Sequence, residues 1–135
     1  MKGACIQICV WFCLVLFCPE TKGAQLFVAT NGSNSNSGSL TQPFATIQHA
    51  LYIMAAGDTV WVRSGTYNEK LVWKTGGTNL KTALLSAYLS EQVIVNGTNQ
   101  SGLAMLYIAS KSFIKIQNLT FQQNYGQDAE GIHII

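Results

Sequence analysis

Apolar, β-rich runs return along this chain every 20 to 26 residues, in two interleaved series. The first holds Val60-Trp61-Val62, Leu84-Leu85, Leu106-Tyr107-Ile108 and Ile132-His133-Ile134, at steps of 24, 22 and 26. The second holds Leu71-Val72-Trp73, Val93-Ile94-Val95 and Ile114-Lys115-Ile116, at steps of 22 and 21. A period of that size, made of strands without intervening helices, marks a β-solenoid, in which one coil cannot bury its apolar face alone and coils must stack. The chain ends at Ile135, inside such a run, and so reads as the opening coils of a longer protein.

Before the repeats comes a different kind of segment. Met1-Lys2 gives a positive start, and Cys5 to Cys18 is an apolar run interrupted only by Gln7. It has the length of a secretory h-region and falls short of the ~20 apolar residues that a membrane span needs. Small residues around Thr21-Lys22-Gly23 predict a signal peptide over 1–23, with secretion and no membrane attachment after cleavage. All four cysteines (Cys5, Cys9, Cys13, Cys18) lie in it and act there as small hydrophobes. What remains has six basic and five acidic side chains and no basic block, so it carries no electrostatic footprint for nucleic acid.

Residues 24–57 read as a strand, a loop and a cap helix. Leu26-Phe27-Val28-Ala29 is strand-like, and Asn31 to Gly38 is a surface connection of turn formers. A helix is expected over Pro43 to Ala56, with Thr41 as N-cap and Gly57 as C-cap. Phe44, Ile47, Leu51 and Met54 line one face and His49 falls on the other. From residue 58 to 135 strands alternate with turns: strands at 59–62, 71–73, 83–88, 92–95, 104–108 and 113–121, with a turn at Ser64-Gly65-Thr66-Tyr67. Ile114 and Ile116 share one parity, Leu119 and Phe121 the other, so a bend is required at Gln117-Asn118. Asn tolerates left-handed backbone, which puts Asn118 at a corner between two sheets.

The residues A-G-D-T-V-W-V-R-S-G-T-Y at Ala56 to Tyr67 carry a family pattern, together with L-F-V-A-T-N-G-S, P-F-A-T-I-Q-H-A, V-I-V-N-G and F-I-K-I-Q-N-L-T-F. The chain thereby resembles secreted right-handed parallel β-helix proteins of the pectate-lyase-like superfamily, over nearly all of its length after the leader. The resemblance implies an all-β solenoid: a right-handed parallel β-helix with an N-terminal capping α-helix, incomplete at the C-terminus. It implies polysaccharide as partner, and calcium in a full-length relative. It is unspecific for function, because one fold hosts many.

No catalytic, cofactor-binding or metal-binding residue is assigned in this segment. Pectate-lyase-like chemistry needs clustered carboxylates for calcium, and only Asp128 and Glu130 are close in sequence. Asp58 is expected to cap a turn by accepting backbone N–H groups. The family's base comes from later coils, so Lys111 and Lys115 take no such role, and Lys115 faces outward. His49 and His133 read as surface residues. Trp61 points outward if Val60 and Val62 point inward, which suits sugar stacking or packing under a loop. Asn31, Asn96 and Asn99 are candidate glycosylation acceptors on loops. Asn118 is expected to turn inward, which would exclude a glycan there. Two functions stay open: a segment of a secreted protein acting on or binding polysaccharide, and a non-catalytic extracellular solenoid for binding or adhesion.

Overall fold

The computed structural model describes residues 22–97, 104–122 and 130–135. The leader expected over 1–23 falls almost wholly outside them, as do Asn99 and Asp128. Ten strands are described: β1 Gln25–Val28, β2 Thr59–Val62, β3 Gly65–Tyr67, β4 Leu71–Trp73, β5 Ala83–Ala87, β6 Val93–Asn96, β7 Ala104–Ile108, β8 Ile114–Gln117, β9 Thr120–Gln122 and β10 Glu130–Ile134. One helix, α1, spans Ile47–Ile53.

Every named strand pair is parallel, and the strands form three sheets: β1-β2-β5-β8, β3-β6-β9 and β4-β7-β10. Each coil visits the three in turn, β2-β3-β4, then β5-β6-β7, then β8-β9-β10, with β1 as a first rung below β2. The inward positions stack in register: Val60, Leu85 and Ile116 in the first sheet; Tyr67, Val95 and Phe121 in the second; Leu71, Leu106 and Ile132 in the third. Val60, Leu85, Val95, Leu71 and Leu106 are at most 1% exposed. Burial of such a side chain stabilises by about 1.5–3 kcal/mol. This is the parallel β-helix that the recurrence predicts.

The coil differs from expectation in its faces. Two series of runs correspond to three sheets. Val60 and Leu85 do stack, as do Leu106 and Ile132, but Leu71, Val93 and Ile114 each belong to a different sheet. The stretch expected as a turn at Ser64 to Tyr67 holds β3. The corner at Asn118 is where the parity change placed it, with φ of 60°. Asn118 is exposed there rather than turned inward.

The cap helix is shorter than expected. Thr46, not Thr41, is its N-cap: the Thr46 side chain accepts from the His49 N–H at 3.3 Å. Met54, not Gly57, is the C-cap; Gly57, at φ of 91°, makes the later turn into β2. Phe44 lies outside the helix because its backbone is used elsewhere. It pairs with the free edge of β1, donating to Phe27 C=O at 2.8 Å and accepting from Ala29 N–H at 2.9 Å. Ile47, Ala50 and Leu51 are fully buried against the first coil. His49 is half-buried, its ring edge-on to Phe44 at 4.8 Å. The 31–38 loop folds back on this entry: Asn34 Oδ1 accepts from Ala45 and Thr46 N–H, and Asn36 donates to Pro43 C=O.

Candidate functional site

Strand alternation leaves one face of each sheet pointing away from the core. On the β4-β7-β10 sheet, Leu71, Trp73, Leu106 and Ile108 are buried. The intervening residues Val72, Tyr107 and His133 stand in register on the outer face. Val72 is 37% exposed and Tyr107 36%. The Tyr107 and His133 rings stack nearly parallel, with centroids 5.6 Å apart and an interplanar angle of 11°. Successive rungs are about 4.8 Å apart, so the rings form a short aromatic column along the solenoid axis. Lys70 and Lys74 flank β4 in sequence, and Lys74 is exposed.

The outer face of the four-stranded sheet carries Trp61. The in-register outward positions are Phe27, Trp61, Ser86 and Gln117. Trp61 is half-buried, and its indole N–H donates to Gln25 Oε1 at 3.1 Å. A single 3-10 turn, Tyr88–Ser90, follows β5 and sets the Tyr88 ring edge-on to Phe27 at 5.5 Å and to Trp61 at 6.0 Å. The Arg63 guanidinium lies 5.3 Å above the Tyr88 ring. Its Nε donates to both Glu91 oxygens at 3.0 Å, and Glu91 Oε2 also accepts from Ser64 N–H. Trp73, by contrast, is 2% exposed and belongs to the core, its indole N–H donating to Thr75 C=O.

Each described carboxylate with a resolved side chain is already engaged. Asp58 accepts from Ala24 N–H at 2.7 Å and Ala55 N–H at 2.8 Å, the turn-capping role expected of it. Glu69 accepts from Ile47 and Gln48 N–H, both at 2.9 Å. Burial nevertheless holds its carboxyl above the ordinary range, because desolvation outweighs those two bonds. Glu91 is held below the ordinary range, chiefly by its bond to Arg63 and further by the Ser64 N–H. Arg63 is raised in turn by Glu91. Burial pushes the Tyr67 hydroxyl up to about 12, helped by the charges of Glu69 and Glu91; it donates to Arg63 C=O at 2.9 Å. Among the described residues no three His, Cys, Asp or Glu side chains converge to hold a metal ion. Among the described residues this donor set does not fit calcium, which takes six to eight oxygens.

The sequence-predicted residues are scattered over the solenoid. Asn31 is exposed on its loop. Asn96 is not on a loop: it is the last residue of β6, half-buried, and its side-chain N–H donates to Asn68 Oδ1 at 2.9 Å. Lys111 and Lys115 are exposed. His133 is no isolated surface histidine but half of the ring column with Tyr107. The step of 26 between their runs, present in the sequence, is the signal that joins them. Tyr88 and the Arg63–Glu91 pair had no such signal. Among the described residues no helix is long and apolar enough to cross a membrane.

Residues 26–135 match the family described as Pel9A-like, right handed beta helix region. The chain is 37% identical over 107 residues to the uncharacterized Bacillus subtilis protein YwoF, covering 76% of this chain and 23% of that protein. It is 30% identical over 123 residues to pectate lyase PEL9 of Emericella nidulans, covering 86% of this chain and 30% of the lyase. The chain thus spans less than a third of the length of these curated relatives. Among solved structures, XylC in complex with xylose aligns with a TM-score of 0.53 at 34% identity, over 54% of this chain and 12% of that one. A rhamnogalacturonan lyase aligns at 0.62 with 20% identity, over 73% and 28%. The latter shows the fold alone.

Proposed function

The chain belongs to the Pel9A-like right-handed β-helix family, and from that membership we propose that it is the cap and first coils of a secreted protein that acts on or binds polysaccharide. Residues 1–23 serve as the secretion signal, 24–57 as the cap and 58–135 as coils. The likeness to a pectate lyase over 86% of the chain supports polysaccharide as the partner class. One observation carries the local reading: the Tyr107–His133 column, outward and in register on successive rungs. The stacked pair offers its ring edges and its uncovered ring face as apolar surface to a glycan on that side of the sheet, in line with exposed Val72. In this reading the segment contributes binding, and the chemistry belongs to carboxylates outside it. A non-catalytic extracellular solenoid is the second reading, favoured by the engagement of Asp58, Glu69 and Glu91 in capping and pairing. Both predict glycan binding.

The test is affinity electrophoresis of the full chain through gels containing polygalacturonate or rhamnogalacturonan. Retardation that Tyr107→Ala abolishes supports the proposal. Migration unchanged by either polysaccharide overturns it.

A further inference from the structure

We propose that the outer face of the four-stranded sheet is a second carbohydrate-binding surface, built on Trp61 and Tyr88 and suited to uncharged sugar rings. It rests on the polysaccharide reading for its class of ligand, but uses a different sheet from Tyr107 and His133.

Three aromatic rings stand on this face, and the core does not need them. Val60, Val62, Leu85 and Ala87 fill the inward positions of the same strands and are at most 2% exposed. Phe27, Trp61 and Tyr88 lie on the solvent side, each half-buried, and together cover Ser86, which is 1% exposed. Exposed Gln25 holds the Trp61 indole and so fixes its plane. A ring with an apolar face and a fixed polar edge is what a sugar needs: C–H groups on one side, hydroxyl partners at the rim.

The turn that delivers Tyr88 is strained. Leu89 and Ser90, neither of them glycine, are consecutive left-handed residues at φ of 46° and 62°. Left-handed backbone costs an ordinary residue about 1–2 kcal/mol. Strain of this kind persists where surrounding structure enforces it, and it concentrates at ligand clamps. Here the next residue, Glu91, enforces it by bonding Arg63 and Ser64 N–H. The result is a ring held against Trp61 by a turn that contributes no buried residue of its own.

The charges choose the ligand. Arg63 is the cation over Tyr88, and its Nε is committed to Glu91. The pair is locally neutral. A uronate therefore gains no unmatched cation here, whereas a neutral pyranose gains ring contact and the hydrogen-bonding rim of Gln25, Arg63 and Glu91.

The two described tryptophan indoles give an internal comparison. In a nitrogen–proton correlation spectrum of the full chain, assigned with Trp61→Phe, neutral xylo-oligosaccharide is added as the probe. The Trp61 indole resonance is expected to move while that of buried Trp73 stays. In calorimetric titration Tyr88→Ala should weaken binding by roughly ten-fold or more, as loss of a central aromatic anchor does, and Tyr52→Ala, at an exposed ring on the cap helix, should leave it intact. An unmoved Trp61 resonance at saturating probe, or a shift equalled by oligogalacturonate, overturns the inference. If Trp61 stays still while oligogalacturonate shifts Tyr107, this surface is refuted and the polysaccharide reading stands. If neither resonance responds to either probe, both fail.

Discussion

The side-chain amide of Gln48 binds the backbone of Val72 as a neighbouring strand would. Val72 N–H donates to Gln48 Oε1 at 2.7 Å, and Gln48 Nε2 donates to Val72 C=O at 3.3 Å. β4 is the first strand of its sheet, with its free edge toward α1. One glutamine from the cap helix thus stands in for a peptide unit at that edge, a position otherwise open to pairing with another chain. Gln48→Leu keeps the size and removes both bonds. It should lower stability by about 0.5–1.5 kcal/mol, the net worth of an ordinary hydrogen bond, read from chemical denaturation. Gln48→Asn, too short to reach, should do the same; a stability equal to wild type for both would show that solvent serves the edge as well.

Glu69 ties the cap to the coil from the other side, through the Ile47 and Gln48 N–H groups at the start of α1. Glu69→Ala should cost about 1–2 kcal/mol, as loss of a helix cap does. Its pH dependence has a definite sign. Burial raises the folded-state pKa of Glu69, so its linked stability is complete below the unfolded-chain value of about 4.3 and is lost as pH rises through the folded value. The stability of wild type minus that of Glu69→Gln should therefore fall as pH rises from that region toward neutrality. A difference that grows with pH would contradict the assignment.

Glu91 behaves oppositely. Its folded-state pKa is depressed, mainly by Arg63, so its contribution is present above the unfolded value and is lost as pH falls through the folded one. Both partners are partly exposed, with 38% of the Arg63 side chain and 24% of the Glu91 side chain accessible. The effect should then stay within about 1 kcal/mol and weaken in salt. Glu91→Gln should flatten the acid limb of the stability profile. An unchanged acid limb at low ionic strength would show that the pair contributes nothing.

Leu51 is fully buried under the cap, while Tyr52, its neighbour, is 69% exposed. Leu51→Asp places a carboxylate against the first coil and should cost roughly 3 kcal/mol or more; Tyr52→Asp should cost less than about 0.5 kcal/mol. Thermal denaturation of the two variants side by side checks the helix face.

Much of this fold could be read from residue periodicity, because buried positions in stacked coils must repeat. The corner at Asn118 followed from parity alone: Ile116 and Phe121 both have to face inward, and the chain between them must bend. The third sheet escaped notice for a physical reason. β3 is three residues long and begins with glycine, so Tyr67 is its only buried side chain and no alternation appears. The helix start was misplaced because Phe44 is buried by pairing with β1, not by helical spacing. Of the candidate surfaces, the Tyr107–His133 column was present as a step of 26. The Tyr88 site was not legible: it depends on two left-handed residues, Leu89 and Ser90, whose types give no warning of that conformation.

The polysaccharide reading is tested most directly by mapping where a glycan touches the chain. Backbone amide shifts of the full chain, recorded as oligogalacturonate is added, should move at Val72, Tyr107 and His133 and leave the inward positions Val60 and Leu85 unmoved. Shifts confined elsewhere, or none at saturating ligand, would contradict the account that this solenoid presents the outer face of its β4-β7-β10 sheet to a polysaccharide.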